Sequence, residues 1–246
     1  MRIGAALSGT ELVAAAEAAG MFGINVRAAG VEASRASEVA VTTTDARVLV
    51  RVVLGDENPV TLAEEVAVLD HLSAGRVVAI VDTGDLDVAG AAEDLALLRK
   101  SWSGRIFRHE GARWTVPSGV ITSGVPTTVS VTPKPAQIDI PVWLDGPVAR
   151  SIAIGVPVIA RSFDEVDPAA QVQPAIGQLS GDLTDDRELV IGWSDAGATH
   201  LLVEPPAGAD ADFFAGYVAR YLQPEVSMPS FPRVMAEADL PSRWTP

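Results

Sequence analysis

The feature that most constrains this chain is an alternation. Short, nearly unbroken runs of Val, Ile and Leu are followed, again and again, by segments whose apolar residues recur at helical spacing. Residues 1–7, 24–28, 47–54 (RVLVRVVL) and 77–81 read as strands, and so do 141–144, 156–160, 172–179 and 199–203. Helices are expected at 11–20, capped by Thr10 or Ser8, at 33–42, from Pro59 through Leu72, and at 88–103, 147–154, 185–196 and 210–222. Strands that are apolar on both sides belong in a parallel sheet with helices over its faces. Eight such units predict an α/β fold, the (β/α)8 TIM barrel, with a doubly wound open sheet as the alternative.

The alternation fails once. Residues 104–138 hold Ser, Thr, Gly and Pro without a helical period and end in TPKPAQ. A long irregular excursion between the fourth and fifth strands is expected there, carrying one hairpin. The tail after Pro224 holds several prolines and is expected to wrap the outside. No internal repeat or long linker divides the chain, so residues 1–246 read as a single barrel domain.

A chain of 246 residues that is 48% hydrophobic can bury a substantial core. With only 5% aromatic residues, Ala, Val, Leu and Ile must fill it. The absence of Cys excludes disulfides, iron–sulfur ligation and thiol catalysis, and fits a cytoplasmic protein. A net charge of −14 opposes contact with phosphate backbones and anionic lipid, so neither nucleic acid nor a membrane is expected as a partner. No apolar run nears the length of a membrane span. The apolar N-terminus resembles a leader until Glu11 and Glu17 interrupt it at helical spacing, which reads as strand, turn and helix.

One junction is unusually specific. LAEEVAVLDHLSAGR, residues 62–76, is a helix that stops on Gly75 and runs straight into the strand VVAIV. It precedes the strand and therefore lies at the N-terminal face of a barrel, where constraints concern stability. Gly75 is expected in the left-handed conformation, Ser73 and Asp70 on nearby backbone, and Arg76 on acids at the bottom of the barrel.

This junction, read as PVTLAEEVAVLDHLSAGR, resembles the bacterial luciferase-like monooxygenase family of flavin- and deazaflavin-dependent oxidoreductases. AEAAGMFGINV, LLRKSWSG with HEGARW, TPKPAQIDIPVWLDG and DAGATHLLVE resemble further pieces of that family, in the family's order. The resemblance implies a (β/α)8 barrel, reduced FMN or a deazaflavin as cofactor, often oxygen as co-substrate, a small organic substrate, and a homodimer formed through the early barrel helices. It implies an oxidoreductase, with monooxygenation as one form of the reaction. The alternative is a reduced, non-catalytic member that serves as a binding or partner subunit.

That alternative arises from departures on the chemistry face. Where the family has a Gly-rich loop after the fourth strand, this chain has Asp82, Thr83, Gly84 and Asp85. Where the family has two glycines and a Ser, it has Asp145, Gly146 and Pro147, and Pro147 removes an N–H donor. The loop after the second strand holds no His. At the two altered loops the cofactor would meet Asp82, Thr83, Gly84 and Gly146, and Arg161 and Ser162, which follow the sixth strand, are expected to face it at the mouth. Arg161 is the cation for a phosphate, with Arg27 and Arg150 as alternates, opposed by Asp82, Asp85 and Asp145. A second reading pairs Arg161 with Asp164 or Glu165. Glu204 is expected to bond Arg or backbone nearby. No catalytic residue is assigned. His71, His109 and His200 lack metal-ligand spacing, no metal is expected, and no GxSxG elbow marks a Ser-His-Asp triad. Trp102, Trp114, Trp143 and Trp193 read as packing residues, with Trp143 inside the barrel.

Overall fold

The computed structural model describes residues 1–27, 32–118 and 128–226. Its strands are β1 (Arg2–Leu7), β2 (Gly23–Val26), β3 (Arg47–Val53), β4 (Val77–Asp82), β5 (His109–Glu110), β6 (Thr115–Val116), β7 (Val142–Asp145), β8 (Pro174–Gln178) and β9 (His200–Glu204). Between them lie helices α1 (Val13–Ala18), α2 (Glu32–Thr42), α3 (Pro59–Leu72), α4 (Val88–Trp102), α5 (Val148–Ile154) and α6 (Leu183–Ala196). Seven strands form one parallel sheet in the order β7-β4-β3-β2-β1-β9-β8. The eighth expected strand, 156–160, is reduced to isolated parallel bridges, Leu144 with Val158 and Ala160 with Ala175. Through them this segment hydrogen-bonds to both ends of the sheet, β7 and β8.

Apolarity on both faces of the strands is used twice. Ile24, Val48, Val50, Val77, Ala79, Leu201 and Val203 pack outward under the helices. Ala6, Leu49, Val78, Ile80, Trp143, Ile159 and Leu202 form a second cluster on the concave side, with Phe22 and Ile176 against it. Trp143 stands inside, as expected, with Phe22 and His200 around it at ring-centroid distances of 6.2 and 5.4 Å. Burial, with the charges of Arg2 and the N-terminal amine, pushes the His200 pKa down to about 4, so its imidazole is neutral at pH 7.

Helix starts follow the capping rules, with one correction. Asn58 and Asp87 accept N–H bonds at the starts of α3 and α4, with Pro59 in the first turn of α3, and Asp182 caps α6. Neither Thr10 nor Ser8 caps α1. Residues 8–12 form a turn, and α1 begins only at Val13 without a side-chain cap. The last helix starts at Ala211, close to the expected 210, and from Phe213 to Leu222 is wound in wide π-type turns. Asp186, buried, receives the Tyr217 hydroxyl at 2.7 Å and ties this helix to the β8 loop through Ser180 and Gly181.

The 62–76 junction is a bottom clamp. Gly75 has φ +80°, and Ala74 before it is also left-handed at +53°. Arg76 donates to the carbonyls of Ser73, Ala40, Thr43 and Ala46 and to the Thr43 hydroxyl, at 2.5–2.9 Å. The expected pairing of Arg76 with acids is thereby corrected to carbonyls and a hydroxyl; burial pushes its pKa down, and the charges of Glu17 and Asp45 oppose that push. Asp70, fully buried, accepts from the Gln137 backbone and side-chain amides, both at 2.8 Å, and so anchors the TPKPAQ segment. A Cβ on Gly75 meets only Gln137 and Ala136, at 3.5 and 3.9 Å, so the backbone angle is what excludes other residues. Gly75→Val is expected to cost about 1–3 kcal/mol in urea unfolding, with ligand affinity unchanged. An affinity loss in the folded variant would overturn the structural assignment.

Between α4 and β7 the chain forms the short antiparallel hairpin β5–β6. The hairpin docks on α4. Burial would raise the Glu93 pKa, but donors from Trp114, His109, Arg113 and Ala112 hold it below the ordinary value. The buried Asp94 receives the Arg113 guanidinium at 2.9 Å and the Trp114 indole N–H at 2.7 Å. The expectations for Ala28, Ala29 and Gly30, for 119–127 and for the tail from 227 lie outside the described residues.

Candidate functional site at the strand ends

Because all seven strands run the same way, their C-terminal residues collect at one end. Alternation then decides which side chains face inward there. Asn25 is buried, and its amide is held by the Leu49 carbonyl at 2.9 Å. Above it stand Arg27, just past β2, and Arg51 on β3. The inward end of β4 is Asp82, of β7 Asp145 and of β9 Glu204, and Arg161 follows the bridge at Ala160.

These charges are matched. Arg27 pairs with Glu204, Arg51 with Asp82, and Arg161 with Asp145, the last at 2.6 Å. All six side chains are partly exposed, from 24% at Asp82 and Asp145 to 51% at Arg161. The expectation that Asp82 and Asp145 oppose Arg161 without compensation is therefore corrected. Asp145 is its partner, and neighbouring strands bring cations that the loop sequence lacks. The alternative pairing of Arg161 with Asp164 or Glu165 is corrected too, since Glu165 accepts only the Arg161 backbone N–H, at 2.7 Å. The expectation for Glu204, a bond to a nearby Arg, is met by Arg27.

A hollow of about 260 Å³ opens at this mouth. Arg27, Arg51, Arg161 and Asp145 form its rim, and Ile80, Ile159, Ile176 and Leu202 line its apolar part. A second hollow of about 300 Å³ adjoins it between Ser8, Gln178, Glu204 and Pro205, and Arg27 lines both.

The six residues assigned from sequence all lie around the mouth, but not in one role. Asp82 accepts from Arg51 and also from the Gly84 N–H, at 2.8 Å. Thr83 is buried and its hydroxyl accepts from Arg150, which also reaches the Gly84 carbonyl at 3.4 Å. Gly84 is left-handed, φ +47°. Gly146 follows β7, and Ser162 is exposed at the start of the short turn Phe163–Glu165. Only Arg161 and Asp145 of this half of the rim line the first hollow.

Arg51 is the residue that sequence reasoning missed. Its signal was a charge two places after Leu49 in RVLVRVVL, on the inward side of a strand with no other reason to carry one. Among the described residues no group of three or more His, Asp or Glu could hold a metal, and no helix is long and apolar enough to cross a membrane.

Solved structures with this architecture are numerous. The monooxygenase RslO1 from Streptomyces bottropensis matches with a TM-score of 0.70 over 92% of this chain and 100% of its own, at 14% identity. An F420-dependent secondary alcohol dehydrogenase, solved with an F420–acetone adduct, gives 0.71 over 92% and 99%, at 13% identity. The coenzyme F420-dependent tetrahydromethanopterin reductase from Methanopyrus kandleri gives 0.66 over 92% and 100%, at 14% identity. No family model and no curated protein matches the sequence. This chain shares the fold of these three enzymes.

Proposed function

We propose that residues 1–246 form one (β/α)8 barrel with 156–160 as its eighth stave, and that the chain is a flavin- or deazaflavin-dependent oxidoreductase acting at the mouth. One observation carries the reading. On a chain of net charge −14, three guanidinium groups converge at the C-terminal strand ends over an apolar hollow. This is the end where TIM barrels place their chemistry. The named neighbours, a monooxygenase and two F420-dependent enzymes, support the class of reaction.

The donor chemistry suits an anionic cofactor. Arg161 and Arg150, the Ser162 hydroxyl and the uncovered backbone of Gly84 and Gly146 would hold its phosphate-bearing end. Three of these donors are already engaged, the Gly84 N–H by Asp82, Arg161 by Asp145 and Arg150 by the Thr83 hydroxyl. A phosphate must therefore displace carboxylates. When bound, the cofactor supplies hydride or oxygen chemistry that no side chain here provides. The chain's own part is to anchor the anion at Arg161 and to keep water from the reacting face with Ile80, Ile159, Ile176 and Leu202.

Fluorescence-quenching titration with FMN tests this. We expect binding that is micromolar or weaker, about −8 kcal/mol or less in magnitude. Arg161→Ala should lose a further 1–3 kcal/mol or about that, as for a charge-assisted hydrogen bond. Nanomolar binding untouched by the substitution would place the cofactor elsewhere. The pre-paired rim favours a second reading, a non-catalytic binding or partner subunit, and failure of both FMN and a deazaflavin to bind would select it.

Assembly as a homodimer belongs to the same reading. Val41 on α2 and Val68 and Leu72 on α3 are exposed, at 68%, 54% and 47%. Beside them lies a hollow of about 400 Å³ that includes Val53, Leu62, Val66 and Leu69. A two-fold contact over this face would bury them. Light scattering should give twice the 25.6 kDa chain mass. A monomer mass at every working concentration would end the idea.

A further inference from the structure

Two arginines on the β2–β3 side of the mouth, Arg27 and Arg51, are not among the groups assigned above to the cofactor's phosphate-bearing end, and their placement is unfavourable. Asn25 of β2 lies opposite Leu49 of β3. The same register carried two residues further sets Arg27 beside Arg51. Like charges side by side on one face of a sheet destabilise it. Each guanidinium is turned toward an acid on its far side, Arg27 to Glu204 and Arg51 to Asp82. Both arginines line the first hollow.

An anion lying between them would relieve this repulsion. Half-exposed ion pairs are worth little, so Glu204 and Asp82 give way at small cost. A carboxylate or phosphonate can accept hydrogen bonds from both planar forks, whereas an amide or alcohol gains little and a cation is repelled. The part of the ligand beyond the anionic group would lie on aliphatic side chains of the hollow. A volume of about 260 Å³ gives room for a body the size of a single ring.

We propose that the mouth takes a small organic anion, one acidic group on a compact apolar body, recognised by Arg27 and Arg51. This rests on the mouth being the ligand site and extends that reading to the class of its small-molecule ligand.

The test is calorimetric titration of the full chain, without flavin, with benzoate and with its neutral counterpart benzamide. Arg27→Gln, Arg51→Gln and, as a control on the β5–β6 hairpin, Arg108→Gln are titrated alongside, with folding checked by circular dichroism. Benzoate should bind at least about tenfold more tightly than benzamide, and each mouth substitution should weaken it about tenfold. Arg108→Gln should change nothing. If Arg51→Gln does not fold, Arg51→Lys keeps the charge, loses the fork and should still weaken benzoate.

Equal affinities for benzoate and benzamide, no binding of either, or indifference to both mouth substitutions would overturn the proposal. FMN titration of the same samples separates the two readings. Benzoate binding without FMN binding removes only the cofactor assignment, and FMN binding without benzoate binding removes only this one.

Discussion

Arg76→Ala should lower stability by about 3–5 kcal/mol and leave binding at the mouth unchanged in any sample that remains folded. The guanidinium donates to four carbonyls and a hydroxyl, which belong to the end of α2, the approach to β3 and the turn after α3. Removing it deprives several partly buried acceptors at once, and a hydrogen bond to a charged group is worth about 1.5–3 kcal/mol. Urea unfolding with a common slope measures the loss. An unchanged midpoint would show that water replaces the guanidinium without penalty and that the clamp is not needed.

Gly4→Val should cost about 3 kcal/mol or more. Gly4 lies on β1, and even a Cβ there would come within 2.6 Å of the Phe22 ring, 2.7 Å of the Gly23 carbonyl oxygen and 3.0 Å of Leu202. The ring could tilt, but the carbonyl belongs to the neighbouring strand and can move only with the sheet. Inserted carbon atoms in a packed core commonly cost about 1–3 kcal/mol, and a displaced strand adds to this. For a chain of this size the melting temperature should fall by about 6–12 °C. Gly4→Ala should fall less far, and a valine variant that melts with the parent would refute the close approach.

Much of the fold was readable because burial leaves a periodic mark. VVAIV, buried on both sides, could only be an inner parallel strand, and the Asp70–Arg76 junction declared the lower face of the sheet. The segment 156–160 looked like any other strand, yet it meets its neighbours at only two isolated bridges. Apolar content does not count ladder bonds, so the sequence could not distinguish the two. The site was less legible. Its loops suggested uncompensated acids at Asp82 and Asp145, because Arg51 and Arg161 reach them from other strands, 31 and 16 positions away. Pairings of that kind are set by sheet register, which a single sequence does not display. Only the charge inside RVLVRVVL hinted at them.

The first strand is completed by the last strand among the described residues. β1 pairs with β2 on one edge, Ala5 beside Ile24, and with β9 on the other, Ile3 beside Leu201. During synthesis the β2 edge is filled early, but the opposite edge stays unpaired until about two hundred residues have emerged. Such distant closure slows folding and leaves a strand edge open to wrong partners in the meantime. A premature stop that removes β9 would therefore injure the beginning of the protein as much as its end, by stranding the N-terminal strand that was made first.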